Sequence, residues 1–159
     1  MLEVALATLD DPHVIDLVTT HHAHCMALTP PESVHALNLD GLKHPSITLW
    51  AASVEGEMAG IGALRALSEC EGEIKTMHTK ASMRGKGVGA AILEAILAAA
   101  QTRRYTDVYL ETGTPKAFEP ARRLYETRGF NPCPPFADYR PDPHSAYYRL
   151  ELTSAEAAA

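Results

Sequence analysis

Three closely spaced glycines could form a phosphate-binding turn in the most patterned part of the chain. They lie in the segment Arg84-Gly85-Lys86-Gly87-Val88-Gly89-Ala90, and apolar residues then recur at helical spacing from Val88 to Leu97. Glycines permit a sharp turn and leave backbone N–H groups unshielded. Because the first N–H groups of a helix lack intrahelical partners and carry partial positive charge, this turn predicts binding of a phosphate group.

Two kinds of phosphate-bearing ligand fit a turn of this type. Gly85, Gly87 and Ala90 match the dinucleotide fingerprint G-x-G-x-x-A, and Glu111 follows at a strand end. A dinucleotide turn, however, follows its strand almost at once, whereas residues 80–84 intervene here. A nicotinamide-dependent oxidoreductase is therefore the weaker alternative, and a further alternative is that the glycines only shape a tight turn.

The elements that must position this turn are typical of a mixed α/β domain. We predict strands over residues 3–8, 47–53, 59–67, 73–79, 107–111 and 147–152. We predict helices from Asp10 or Asp11 and Pro12 onward, from Thr29–Glu32 through Val34 and Leu37, over residues 87–101, and from Pro120 to Gly129. The strand–helix–strand unit over residues 73–111 should place its two strands in parallel. The fold class is therefore a mixed sheet with helices on both faces.

Two sequence blocks resemble the GNAT superfamily of N-acetyltransferases. A strand ending in Met77-His78-Thr79, followed by Arg84-Gly85-Lys86-Gly87-Val88-Gly89, resembles that family's strand and R/Q-x-x-G-x-G/A signature. Further along, Ala121-Arg122-Arg123-Leu124-Tyr125-Glu126-Thr127-Arg128-Gly129-Phe130 resembles the second block, A-x-x-L-Y-x-x-x-G-F. The two blocks and the strand between them cover residues 73–130, and the N-terminal third matches only through its order of elements.

The resemblance implies a single domain over residues 1–152 whose two central parallel strands splay apart to hold acetyl-CoA. The pantetheine would pair with the backbone of Met77, His78 and Thr79 like an added strand. The pyrophosphate would lie on the turn, which makes these further residues candidates for binding acetyl-CoA: Arg84, Gly85, Lys86, Gly87, Val88, Gly89 and Ala90. Phe118 stands where the family usually has an asparagine, and residues 153–159 look like a frayed tail.

The resemblance also implies direct attack of an amine on the thioester in a ternary complex. Tyr125 matches the family tyrosine that donates a proton to the leaving thiolate; the alternative is an ordinary core tyrosine. Glu111, at the strand end beside the gap, is the first candidate for the base that deprotonates the amine, and Glu73 and His78 are the other candidates. The mechanism needs no nucleophilic cysteine.

The acceptor pocket is expected between the N-terminal helices, the hairpin and the C-terminal loop. Arg65 or Arg140 could hold an acceptor carboxylate there. On a helix His21 and His24 share a face while His22 points away, so we expect surface or pocket histidines and no metal site.

Composition narrows the function classes further. The 159 residues include 14 Lys+Arg and 20 Asp+Glu, for a net charge of −6, which argues against binding nucleic acid or an anionic membrane. Three widely spaced cysteines and a beginning without a basic region favour a soluble cytoplasmic protein. We expect an acetyl-CoA-dependent N-acetyltransferase acting on a small-molecule amine or amino acid. A non-catalytic acyl-CoA-binding module is the alternative, and a homodimer is compatible with the sequence.

Overall fold

A computed structural model of the chain describes residues 1–152, and the predicted tail at 153–159 lies outside the described residues. The strands are β1 (Leu2–Leu6), β2 (Ile47–Val54), β3 (Glu57–Ala66), β4 (Glu71–Thr79), β5 (Asp107–Gly113), β6 (Asn131–Pro132) and β7 (Ser145–Glu151). The α-helices are α1 (Pro12–Leu28), α2 (Leu39–Leu42), α3 (Val88–Thr102) and α4 (Glu119–Arg128). Single 3-10 turns lie at Pro31–Ser33, Ala81–Met83 and Lys116–Phe118.

The helix ends follow the predicted signals except in the second helix. The Asp11 side chain caps α1 by accepting a hydrogen bond from the His13 N–H (2.9 Å), and Gly129 ends α4 at φ 108°. The predicted helix through Val34 and Leu37 is wrong, since only a 3-10 turn forms and Val34 is extended. Asn38 provides the physical reason: its side chain caps the next turn by accepting from the Gly41 N–H, so α2 begins only after it.

The seven strands form one sheet in the order β1-β2-β3-β4-β5-β7-β6. The hairpin of β2 and β3 and the parallel pairing of β4 with β5 are confirmed. The parallel ladder runs from Glu71 opposite Asp107 to Ile74 opposite Leu110, where it stops. Because β4 continues to Thr79 and β5 to Gly113, the two strands splay apart at their carboxyl ends, as predicted.

A bulge in β4 begins where the strands separate. Ala63 of β3 lies opposite Lys75 and Ile61 lies opposite His78, so two residues of β4 face Gly62 alone. Thr76 within the bulge has φ 57°, a conformation that costs an L-residue about 1–2 kcal/mol. A Cβ atom on Gly62 would lie 2.5 Å from the Ile92 side chain, so the packing of α3 on the sheet requires glycine opposite the bulge. Bulges bend and twist a strand, which widens the gap toward β5.

Helices cover both faces of the sheet, which confirms the predicted fold class. On one face the fully buried residues Ile92, Leu93, Ile96 and Leu97 of α3 pack in the main core together with Tyr125 of α4. On the other face, Val14, Leu17 and Val18 of α1 pack against residues of β2 and β3. Burial of each such aliphatic side chain stabilises the fold by about 1.5–3 kcal/mol.

Candidate active site

A cavity of about 580 Å³ opens where β4 and β5 separate. Its walls come from α1, the 3-10 turn at Pro31–Ser33, β4, the glycine turn, β5 and α4. The cavity brings together eleven of the twelve residues predicted for the site: Met77, His78, Thr79, Arg84, Gly85, Gly87, Val88, Gly89, Ala90, Glu111 and Tyr125. The exception is Lys86, which is exposed on the turn and does not line the cavity.

The glycine turn has the open geometry that an anion requires. Gly85 and Gly87 have φ values of 78° and 80°, in the left-handed region that favours glycine. A Cβ atom at either position would meet no atom of residues 1–152 within 4 Å, so the turn has open space above its backbone in the described part of the chain. Gly87 also precedes the first residue of α3 and supplies no capping side chain. The first N–H groups of α3 can therefore bind a phosphate.

The outer half of β4 has one edge free for a ligand. Beyond Ile74 this strand pairs with β3, through Ile61 and Gly60 opposite His78 and Thr79, and its ladder with β5 has ended. Backbone N–H and C=O groups on that free edge can pair with an extended ligand as another strand would. The edge and the glycine turn line the same cavity.

Glu111 follows the last residue of the parallel ladder and is half-buried in the cavity wall. Burial raises the pKa of its carboxyl group from 4.5 to about 7, although the Ser145 hydroxyl and the Lys75 ammonium act in the opposite direction. A carboxyl group that titrates near neutral pH can both accept and return a proton under ordinary conditions.

Tyr125 is both a core residue and a cavity residue. Its side chain is 4% exposed, and its ring packs edge-on against Phe130 at a centroid distance of 5.8 Å. Burial, with a smaller contribution from the charge of Glu111, raises the pKa of the phenol. The hydroxyl therefore stays protonated and can act as a donor beside Glu111.

Histidines of α1 pack against β4 at the side of the cavity. The Nδ1 atoms of His21 and His78 lie 3.2 Å apart, and the ring centroids of His24 and His78 lie 6.1 Å apart. Burial, reinforced by the neighbouring histidines, lowers the pKa of His21 to about 3 and that of His78 to about 4. Both rings are therefore neutral at pH 7. Within residues 1–152 no group of three or more histidine, cysteine or acidic side chains could hold a metal ion.

Glu73, the second candidate for the base, is held in a buried polar cluster outside the cavity lining. It is 1% exposed, its Oε2 lies 3.3 Å from Lys75 Nζ, and it accepts a hydrogen bond from the Tyr139 hydroxyl. Lys75 Nζ also donates to that hydroxyl (2.9 Å). One carboxylate oxygen of Glu73 is thus occupied by Lys75 and Tyr139, and Lys75 rather than Glu73 lines the cavity.

Sequence reasoning missed the acceptor-side residues Lys75 and Thr76, which line the cavity together with Ser33 and His35 of the loop expected at the acceptor rim. Neither arginine proposed for an acceptor carboxylate does so: Arg65 lines a separate groove, and Arg140 is exposed. Strand alternation was the available signal for Lys75, because it shares a face with Glu73. Phe118, in the place of the family asparagine, lines the cavity and packs on Gly113.

Comparison with known proteins identifies the family. The family model described as the acetyltransferase (GNAT) family matches residues 15–130. The uncharacterized N-acetyltransferase YsnE of Bacillus subtilis is 44% identical, over 95% of this chain and all of the relative. The uncharacterized N-acetyltransferase YedL of Escherichia coli is 41% identical, over 96% of each chain. The chain belongs to the GNAT acetyltransferase family.

Solved structures agree with this membership. An acyl-CoA N-acyltransferase from Klebsiella pneumoniae superposes with a TM-score of 0.76 at 26% identity, over 96% of this chain and 99% of that one. A GNAT acetyltransferase from Elizabethkingia anophelis, solved with acetyl-CoA bound, has a TM-score of 0.69 at 18% identity, over 95% and 98%, and shares the fold. The predicted family, fold and enzyme class are confirmed, in place of the oxidoreductase alternative. The GNAT membership also implies acetyl-CoA as the donor. None of the helices within residues 1–152 is long and apolar enough to cross a membrane.

Proposed function

We propose that this GNAT acetyltransferase moves the acetyl group of acetyl-CoA to the amine of a small molecule or amino acid by direct attack in a ternary complex. The observation that carries the proposal is the continuity of one cavity, which joins the glycine turn, the free edge of β4, Glu111 and Tyr125. Such a cavity can hold a donor and an acceptor side by side, as direct transfer requires.

Donor binding is assigned to the backbone. The N–H groups at the start of α3 bind the pyrophosphate, and the free edge of β4 at Met77, His78 and Thr79 pairs with the pantetheine. Side chains contribute little at these positions, so Lys86 can point into solvent without loss of the site.

Glu111 is proposed as the general base. Its carboxylate takes the proton that the amine loses as the amine nitrogen forms a bond to the thioester carbonyl carbon. Its pKa near 7 suits this role. The two other candidates are less suited: Glu73 is already paired with Lys75 and Tyr139, and His78 is packed against His21 with its pKa lowered to about 4.

Tyr125 is proposed as the general acid. When the carbon–sulfur bond breaks, the electron pair leaves with sulfur, and the Tyr125 hydroxyl gives its proton to the thiolate. The buried position of this hydroxyl and its raised pKa favour a protonated group in the resting enzyme. The phenol regains a proton once the thiol has left.

A panel of amines and amino acids with acetyl-CoA tests the proposal, with released CoA thiol as the readout. Acetylation of an acceptor with one CoA released per product supports it, and NAD(H) should give no thermal stabilisation where CoA does. Lack of turnover across the panel together with no stabilisation by CoA would contradict it. The single domain over residues 1–152, the homodimer and the cytoplasmic location stay predictions.

A further inference from the structure

We propose that the acceptor carries a carboxylate next to its amino group, as a free amino acid does, and that Lys75 binds this carboxylate. This inference rests on the proposed function and narrows its substrate class. It makes Lys75 a specificity-determining residue, a role that no sequence motif indicates.

The first support is the position of Lys75 relative to Glu111. Ile74 and Leu110 form the last pair of the parallel ladder, so Lys75 and Glu111 are the next residues on their strands, at the point where the gap opens. The strands begin to diverge here, and the charge of the Lys75 ammonium still opposes the rise of the Glu111 pKa across the gap. A cationic and an anionic side chain thus line the same cavity, one on each of the two diverging strands.

The second support is that the ammonium group of Lys75 has an unused hydrogen-bond donor. The side chain is 6% exposed, and its Nζ donates to Glu73 Oε2 (3.3 Å) and to the Tyr139 hydroxyl (2.9 Å). An ammonium group has three N–H donors, and the hydrogen bonds described for residues 1–152 occupy two of them. A buried donor without a partner is costly, and a ligand carboxylate in the cavity would supply the acceptor.

The charge balance around Lys75 also favours an anion. Glu73 is shared between two cations, because Arg65 Nη1 lies 4.0 Å from its Oε1 while Lys75 lies on Oε2. One carboxylate between two cations leaves a net positive charge on the cluster of Arg65, Glu73 and Lys75. Arg65 is partly solvated, with 44% of its side chain exposed, whereas Lys75 is buried and lines the cavity. Ionised Glu111 balances this charge across the gap, so the cluster attracts an anion most strongly while Glu111 is protonated.

Two further polar groups complete the same wall. Thr76 is 5% exposed, lines the cavity, and its Oγ1 has no hydrogen-bond partner within residues 1–152. His35 lines the cavity, and its ring packs edge-on against the Tyr139 ring at a centroid distance of 4.9 Å. Its imidazole therefore contacts the tyrosine to which Lys75 donates a hydrogen bond. A hydroxyl, an imidazole and an ammonium group can together satisfy the two oxygens of a carboxylate.

An amino acid matches this arrangement at both of its ends. Its amino group would face Glu111, the proposed base, while its carboxylate meets Lys75 on the adjacent strand. A plain amine would satisfy Glu111 alone and leave the Lys75 donor without a partner in a desolvated wall. Sites built to hydrogen-bond a substrate group discriminate strongly against analogues that lack it.

The test compares L-amino acids with their carboxamides, which keep the amine and remove the negative charge. The kcat/KM of each acid–carboxamide pair is measured by release of CoA thiol, and thermal stabilisation by each compound in the presence of CoA gives a readout independent of turnover. We expect the wild-type enzyme to prefer the acid by about 10- to 100-fold. In the double variant Lys75→Met/Glu73→Gln we expect the two compounds to differ by less than about threefold.

The double variant removes both members of the buried pair, since removal of Lys75 alone would leave an unpaired buried charge. Lys43→Met is the matched control, because it removes an exposed lysine outside the cavity, and it should keep the wild-type preference. Equal use of acids and carboxamides by the wild type, or a preference unchanged in the double variant, would overturn the inference while the acetyltransferase proposal stands. If the double variant does not fold by circular dichroism, the wild-type ratio alone decides.

A separate outcome addresses the proposed function. If neither the acids, the carboxamides nor simple alkylamines are acetylated, and none of them adds stability in the presence of CoA, both the function and this inference fail. Acetylation of alkylamines alone would refute the inference and support the function.

Discussion

Replacement of Glu111 by Gln should change catalysis and stability in opposite directions. Burial raises the pKa of Glu111 from 4.5 to about 7, so the folded protein holds this proton more tightly than the unfolded chain does. The free energy of unfolding therefore falls as the pH rises from 4.5 through 7, and it levels off above 7. Because one pKa unit corresponds to about 1.4 kcal/mol, ionised Glu111 destabilises the folded state by about 3 kcal/mol at pH 8.

The neutral amide of Glu111→Gln keeps the shape and removes this cost. Urea unfolding at pH 5 and pH 8 should show that the wild type loses about 2.5 kcal/mol more than the variant over that interval. Comparison of the two proteins cancels the titration of every other group. Glu3→Gln, at an exposed position on β1, is the control and should follow the wild type.

Catalysis should change the other way. In the wild type kcat/KM should rise about tenfold per pH unit below pH 7, as the base ionises, and in Glu111→Gln it should fall by about 10²- to 10⁴-fold. The acceptor amine also titrates, but that dependence is shared by both proteins. A stable variant with near-wild-type turnover would remove Glu111 as the base, and an equal pH dependence of unfolding would refute the raised pKa.

Three other substitutions test separate parts of the site. Gly87→Val should abolish thermal stabilisation by CoA, whereas Gly56→Val, which has a similar φ of 81° and open surroundings, should lose similar stability and keep CoA binding. Tyr125→Phe should lower kcat by about 10²-fold with CoA affinity retained. The control Tyr148→Phe changes a buried tyrosine outside the cavity and should keep the wild-type kcat. An unchanged kcat in Tyr125→Phe would exclude its role as the general acid. The pKa of His21 is lowered to about 3, so the stability that its neutral ring confers above pH 6.5 is lost as the pH falls. His21→Leu should therefore lose less stability between pH 7 and pH 5 in urea unfolding, and a loss equal to that of the wild type would contradict the lowered pKa.

The turn and the strand edge that we propose for the donor were predictable as structural features because their signals are local. Gly85 and Gly87 must adopt positive φ, and that demand is visible as glycine at fixed positions before an amphipathic helix. The parallel pairing of β4 with β5 followed from the right-handed crossover of a βαβ unit. Tyr125 and Glu111 were located by the family blocks and by the end of a strand.

The acceptor half was not predictable because its residues meet only through long-range packing. Lys75 lies in the cavity wall because Glu73 and the distant Tyr139 hold its ammonium group. The bulge at Thr76 places a β-branched residue at positive φ, which local propensity disfavours and only the surrounding sheet can impose. The failed helix through Val34 has a different, local cause, since a competing cap at Asn38 decided where the next turn begins.

The geometry of β4 explains why the two halves are encoded so differently. A strand presents its backbone groups in the plane of the sheet and its side chains perpendicular to it. Beyond Ile74 the free edge of β4 is available to the donor, while the face of the same strand presents Lys75 toward the proposed acceptor. A ligand that binds the backbone groups of the strand edge is compatible with many side chains at those positions. A ligand that binds the side chains on the strand face depends on the identity of each residue there. We therefore expect substitution at Lys75 to change the preferred acceptor without disturbing acetyl-CoA binding. On this proposal the glycine turn indicates the reaction, and the side chains on the face of β4 determine the substrate.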